Sequence, residues 1–161
     1  MESGNVAWVL VGAALVLFMT PGLAFFYGGM VRSKNVLNML MMNFWCLLVV
    51  PVLWALVGYS LAFSGKGKFL GNFDKAFLRG LDFSGTEPAV LIFLATFAAI
   101  TPALISGAVA DRMKFAAWAI FVPLWSLLVY VPVTYWVFSP NGWFLTRGSL
   151  DFAGGTAIHV N

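Results

Sequence analysis

Charge is what this sequence has least of. Asp, Glu, Lys and Arg make up 9% of its 161 residues, against about a quarter in an ordinary soluble domain. So few ionised groups cannot cover a water-facing surface, which excludes a soluble globular domain. Disorder is excluded by the opposite excess: 61% of the residues are hydrophobic, and a disordered chain needs low hydrophobicity. Cysteine is nearly absent. Cys46 stands alone inside an apolar run, so no internal disulfide forms and no redox compartment is indicated. Histidine occurs once, at His159. The sequence has no metal-ligand cluster, nucleophile–base pair or phosphate loop, so neither an enzyme nor a cofactor is expected. The net charge of +3 is spread along the chain without a basic tract, which excludes nucleic acid as a partner.

What is present is apolar length, with a mean hydropathy of +0.93. Residues 3–31, 35–65, 88–110 and 115–146 carry no Asp, Glu, Lys or Arg, giving runs of 29, 31, 23 and 32 residues. About 20 apolar residues cross the hydrocarbon core of a bilayer as a helix. The fold class expected is therefore an all-α transmembrane bundle, with helices at about 5–31, 35–63, 88–111 and 115–138. A fifth helix is expected to open at 152 and to be cut at 161, so the sequence reads as part of a longer chain. The first run is no signal peptide: its leading residues include Glu2 and no Lys or Arg, and it is far longer than a signal's apolar core. Continuous apolar runs also lack the alternation of a membrane barrel.

Short loops set orientation. Arg32 and Lys34 follow the first run, and Arg112 and Lys114 follow the third. Lys66, Lys68, Lys75, Arg79 and Arg147 are diluted over longer segments and mixed with acids. Positive density in short loops places 32–34 and 111–114 in the cytoplasm and the N-terminus outside. The glycine-rich stretch 64–87 is then an outer surface connection.

Most side chains need only a lipid-phase explanation. Met39, Met41 and Met42 fill gaps. Trp8, Trp118, Trp136 and Trp143 fall near segment ends, where an aromatic belt sits. Thr20-Pro21-Gly22 is expected to interrupt the first helix, and Gly28-Gly29 to admit a close neighbour. Two residues resist. His159 lies in the fifth apolar segment, and an intramembrane ionisable group is functional by default; a structural imidazole bonded to a carbonyl is the competing reading. An imidazole can also pass a proton near neutral pH. Asp151 precedes an apolar run and reads as a helix N-cap, with a cation-related role in addition if it borders a vestibule. Phe93, Phe97 and Thr101 follow at intervals of four and share one helical face, a pattern more often of packing than of a pore.

Four segments resemble one family. Asp151 to Asn161, DFAGGTAIHVN, closely resembles the signature of the ammonium transporter (Amt/Mep/Rh) family. Pro21 to Gly29 with Val31-Arg32-Ser33-Lys34-Asn35-Val36 is similar to that family's first helix and inner loop. Gly58-Tyr59-Ser60-Leu61-Ala62-Phe63 resembles the end of its second helix, and Ser106 to Arg112 the inner end of its third. The four stand in the family's order along the whole chain.

The resemblance implies two five-helix halves of inverted topology, with the substrate path between them, assembled as a homotrimer in the cell membrane. It implies that His159 is the first of two pore histidines and serves proton relay. Asp151 becomes the outer vestibule carboxylate, Phe97 the pore gate with Phe93 beside it, and Phe138 stands where many members have a recruiting tryptophan. Phe offers a weaker cation–π face than Trp. Ammonium/ammonia and the lipid bilayer are the implied partners, with a PII-type regulatory protein on the cytoplasmic face. The second pore histidine falls beyond Asn161, so residues 1–161 alone are expected not to transport. Two other functions share these features: a membrane ammonium sensor, and a Rh-like neutral gas channel.

Overall fold

A computed structural model describes residues 2–161. It is all-helical, without a strand among the described residues. Among the described residues four helices are long and apolar enough to cross a bilayer: a first span whose helix is Glu2–Met30, a second Ser33–Phe63, a third Glu87–Ile105 and a fourth Phe115–Phe138. A short fifth helix, Gly155–Val160, closes the chain.

The third span is the hub. Of its apolar window 56% is buried, against 22% in the first span. Its sequence explains this position: Ala95, Ala98, Ala99 and Ala103 are buried at helical spacing, and small side chains let neighbouring helices approach. The first, second and fourth spans and the fifth helix all pack on it. Where hydrocarbon is the solvent, burial gives little drive, and packing with interhelical hydrogen bonds holds the bundle. Trp118 of the fourth span is fully buried and donates from Nε1 to the Met42 carbonyl of the second at 2.8 Å. Asn43 Nδ2 donates to Ser106 Oγ at 3.1 Å, and Tyr27 Oη to the Leu104 carbonyl at 3.3 Å.

Several local expectations give way to tertiary detail. The first helix is not interrupted at Thr20-Pro21-Gly22 but runs through Pro21; Thr20 and Ala24, one turn apart, are both fully buried, and that packing carries the helix past the ring. Trp118 is a core residue and not part of a belt, because its indole has a carbonyl to bond. Of Gly28-Gly29 only the first has a neighbour: a Cβ on Gly28 would stand 3.5 Å from Leu40 of the second span, whereas Gly29 meets nothing within 4 Å. Tighter approaches fall at other glycines: a Cβ on Gly12 would stand 3.2 Å from the Phe93 ring, and one on Gly107 would stand 2.8 Å from the Tyr27 ring.

The third helix ends at Ile105 and not at 111. Ser106, Gly107 and Ala108 donate to carbonyls three residues back, which tightens the chain into turns. Asp111 then adopts a left-handed φ of 60°, and its carboxylate accepts from Asn35 Nδ2 at 2.5 Å. The fifth helix starts at Gly155 and not at 152, since Gly154 turns the chain at φ 78°. The second and fourth spans each change pitch in mid-course. Trp54–Gly58 and Ser126–Tyr130 are π-turns, and each begins three residues after a proline, Pro51 or Pro123.

The two ends of the bundle differ chemically. Arg32, Lys34, Asp111, Arg112 and Lys114 share one end, where Arg32 Nε lies 4.0 Å from Asp111. The other end holds the connection 64–86. Its strands of backbone are pinned from two sides: Ser60 and Ser64 hydroxyls donate to the Asn72 carbonyl at 2.8 and 3.0 Å, and the fourth span donates through Tyr135 Oη to Gly67 and Trp136 Nε1 to Phe69. Lys75 pairs with Glu87, which also accepts from Tyr59 Oη at 3.0 Å.

Candidate functional site

The site is built on the loop between the fourth span and the fifth helix. Phe138 is the last residue of the fourth span's helix and is half-buried. The loop that follows is bonded back to the bundle, Phe144 N–H to the Trp136 carbonyl at 3.0 Å and Asn141 Nδ2 to the Gly65 carbonyl at 3.1 Å, and it ends at Asp151. Val137, Phe138, Leu145, Leu150, Asp151 and Phe152 line one depression of about 290 Å³. The structure thus brings Phe138 and Asp151 together, thirteen positions apart in sequence. An aromatic face and a carboxylate thus border one apolar hollow.

Asp151 is also structural. Its Oδ2 accepts from the backbone N–H groups of Thr156 and Ala157 at 2.8 and 3.0 Å. The N-capping expected of Asp151 is therefore made at a distance. Gly154 occupies the cap position by backbone conformation, while the carboxylate reaches across the turn to two donors that the helix leaves free.

That helix carries His159. Ala157 and Ile158 are buried against the third and fourth spans. His159, two positions past Ala157, lies exposed on the other side, and its imidazole makes no hydrogen bond among the described residues.

Phe93 and Phe97 stand on the third span and are half-buried. Their rings meet edge to face, with centroids 4.8 Å apart at 78°. Thr101, one turn on, is buried and donates to the Phe97 carbonyl at 2.7 Å, so the three residues do share a face. Phe93 also packs on Gly12 of the first span, a contact the sequence pattern does not reveal.

Two tryptophans near Phe138 in sequence lie apart from this hollow. Trp136 and Trp143 line a second depression with Lys68, Phe69 and Phe144. The Trp136 indole is occupied by the Phe69 carbonyl at 2.8 Å, and the Arg147 guanidinium lies 4.4 Å above the Trp143 ring. Neither is placed to replace a tryptophan at Phe138.

On the loop 64–86, Asp82 is held below the usual carboxylate range, first by the Ser84 hydroxyl and then by its amide.

Comparisons with known proteins bear on what such a site does. The sequence model of the Ammonium Transporter Family matches residues 7–161. An ammonium transporter of Mycobacterium tuberculosis is 49% identical, with 99% of this chain and 40% of the relative covered. One from Aquifex aeolicus is 47% identical, with 100% and 40% covered. Among solved structures, Candida albicans Mep2 superimposes with a TM-score of 0.88 at 29% identity, covering 98% of this chain and 36% of that one. A structure named Sensor Amt Protein gives 0.89 at 26% identity, covering 96% and 40%. The chain spans about 40% of the length of the curated relatives it matches.

Proposed function

The chain belongs to the ammonium transporter family, and from that premise we propose that it supplies the outer mouth and one wall of a transmembrane path for ammonium. Its relatives carry the names of transporters, not of enzymes. One observation carries the reading: the carboxylate that borders the hollow beside Phe138 is the same group that holds the helix bearing His159.

The chemistry follows from what separates ammonium from K⁺. The two ions are alike in size and charge, so a cage for cations separates them poorly. Ammonium donates hydrogen bonds and can lose a proton; K⁺ does neither. Phe138 and Asp151 attract the cation at the mouth. An apolar passage beside Phe93 and Phe97 then admits neutral ammonia, because carrying an ion into the hydrocarbon costs several kcal/mol or more. His159 bonds the ammonia and takes part in moving the proton that it leaves behind. In this reading residues 1–161 are part of one transporter domain and do not transport alone.

The bundle lies in the cell membrane with the N-terminus outside, and the ends at 32–34 and 111–114 face the cytoplasm. The side chains of Trp8, Phe18, Phe25 and Phe26 are 63–78% exposed on the first span, and they meet lipid or further copies in a homotrimer. The basic inner end is the surface for a PII-type regulator.

The test is ammonium-driven current in liposomes carrying the protein at its natural length. His159→Ala is expected to abolish the current, and undiminished, still selective current removes His159 from the mechanism. A current that is absent in the unaltered protein while ammonia still equilibrates favours the neutral gas channel. A membrane ammonium sensor is the second reading, favoured by the likeness to the Sensor Amt Protein structure; ammonium binding without flux identifies it.

A further inference from the structure

The second and fourth spans carry the same backbone device at the same offset. In Pro51-Val52-Leu53-Trp54 and Pro123-Leu124-Trp125-Ser126, a proline is followed three positions later by the first residue of a π-turn. Each turn is closed by a bond five residues long, Tyr59 N–H to the Trp54 carbonyl and Val131 N–H to the Ser126 carbonyl. The two turns face each other. Trp54 and Ser126, their opening residues, line one small cavity with Gly58, Ala98, Tyr130 and Val131.

Both opening residues are buried, Trp54 at 2% and Ser126 at 3% exposure. Both bring a polar atom without a partner among the described residues, Trp54 Nε1 and Ser126 Oγ. An indole N–H only donates, whereas a hydroxyl donates once and accepts twice. Leaving either unmet inside a bundle is costly. The cavity offers about 10 Å³ to the centre of a water-sized sphere, about the least that admits one water molecule. Its walls belong to the second, third and fourth spans.

We propose that this cavity is a binding site for a single water molecule, which accepts from Trp54 Nε1 and bonds Ser126 Oγ, joining the two π-turns. π-turns recur where a helix serves a function, and a bridging water satisfies donors that a direct contact cannot reach. The water is separate from the hollow at Phe138 and does not depend on the transport reading. Gly58 leaves the Trp54 ring its place: a Cβ there would stand 3.0 Å from it.

The experiment has two arms on the protein at its natural length. A high-resolution map recorded without ammonium is expected to show one solvent peak within hydrogen-bond distance of both atoms. A map of equal quality without the peak, or with it only when ammonium is added, overturns the proposal. In the second arm the thermal midpoint is measured for Ser126→Ala, which removes the hydroxyl and little volume. A bridging water makes the substitution lower the midpoint, since the water and the Trp54 indole each lose a partner. In a dry cavity it removes an unpaired polar atom, so an unchanged or raised midpoint overturns the proposal.

Discussion

Replacing Asp151 by alanine removes one carboxylate but unmakes two hydrogen bonds, to the N–H groups of Thr156 and Ala157 at 2.8 and 3.0 Å. A lost side-chain cap typically costs about 1 kcal/mol and up to about 2; a charged acceptor and the positive end of the helix raise that by a few tenths to about 1. The expected cost is therefore about 2 kcal/mol for Asp151→Ala. Asp151→Asn keeps an oxygen acceptor without the charge and should cost about 1 kcal/mol. The helix at stake is Gly155–Val160, six residues long, so its start and the seat of His159 cannot move independently. If transport needs that helix formed, about 2 kcal/mol corresponds to a loss of up to about 30-fold. The assays are the thermal midpoint of the purified protein at its natural length and uptake of a labelled ammonium analogue into proteoliposomes. Both should fall in the order wild type, Asn, Ala. Two outcomes refute the reasoning: Asp151→Ala with its midpoint unchanged, or Asn and Ala equally inactive with both midpoints intact, which would put the charge itself in the path.

Two further substitutions probe the bundle. Trp118→Phe deletes the bond to the Met42 carbonyl from a fully buried site; interhelical bonds in membranes contribute about 0.6 and at most about 1.7 kcal/mol, so with the lost volume a destabilisation of about 1–2 kcal/mol is expected in reversible unfolding, whereas Trp8→Phe on the exposed face should leave stability unchanged. Gly107→Ala drives a methyl against the Tyr27 ring and should cost about 1–3 kcal/mol as overpacking; adding Tyr27→Ala should recover part of that, and a strictly additive double mutant would show that the two residues do not meet.

The spans and the chemistry at their ends were legible because both are written in local composition. Runs without charge mark the helices, and the clustering of Arg32, Lys34, Arg112 and Lys114 separates the two ends of the bundle. The segment from Asp151 to Asn161 was legible as a family signature. What stayed hidden depends on partners far along the chain. The early end of the third helix at Ile105 needs Tyr27 against Gly107 and Asn35 against Asp111. The burial of Trp118 needs a free carbonyl at Met42, and no local pattern separates such a tryptophan from one in an interfacial belt. The shared hollow of Phe138 and Asp151 depends on how the intervening loop folds back. Pro51 and Pro123 were visible, but a proline tells where a helix is disturbed and not that the disturbance will be a π-turn.

The connection 64–86 also sets an order of events. Gly67 and Phe69 take their bonds from Tyr135 and Trp136, 68 and 67 residues later, and Gly65 takes its bond from Asn141, 76 residues later. At about 5–20 residues per second of synthesis, those carbonyls wait roughly 3–15 s for the helix that caps them. During that interval the connection is open to whatever binds nascent chains on its side of the bilayer. The fourth span thus acts as a latch on the earlier half of the chain. A ribosome stalled before Tyr135 would leave the connection cleavable by added protease, and release past Asn141 would close it.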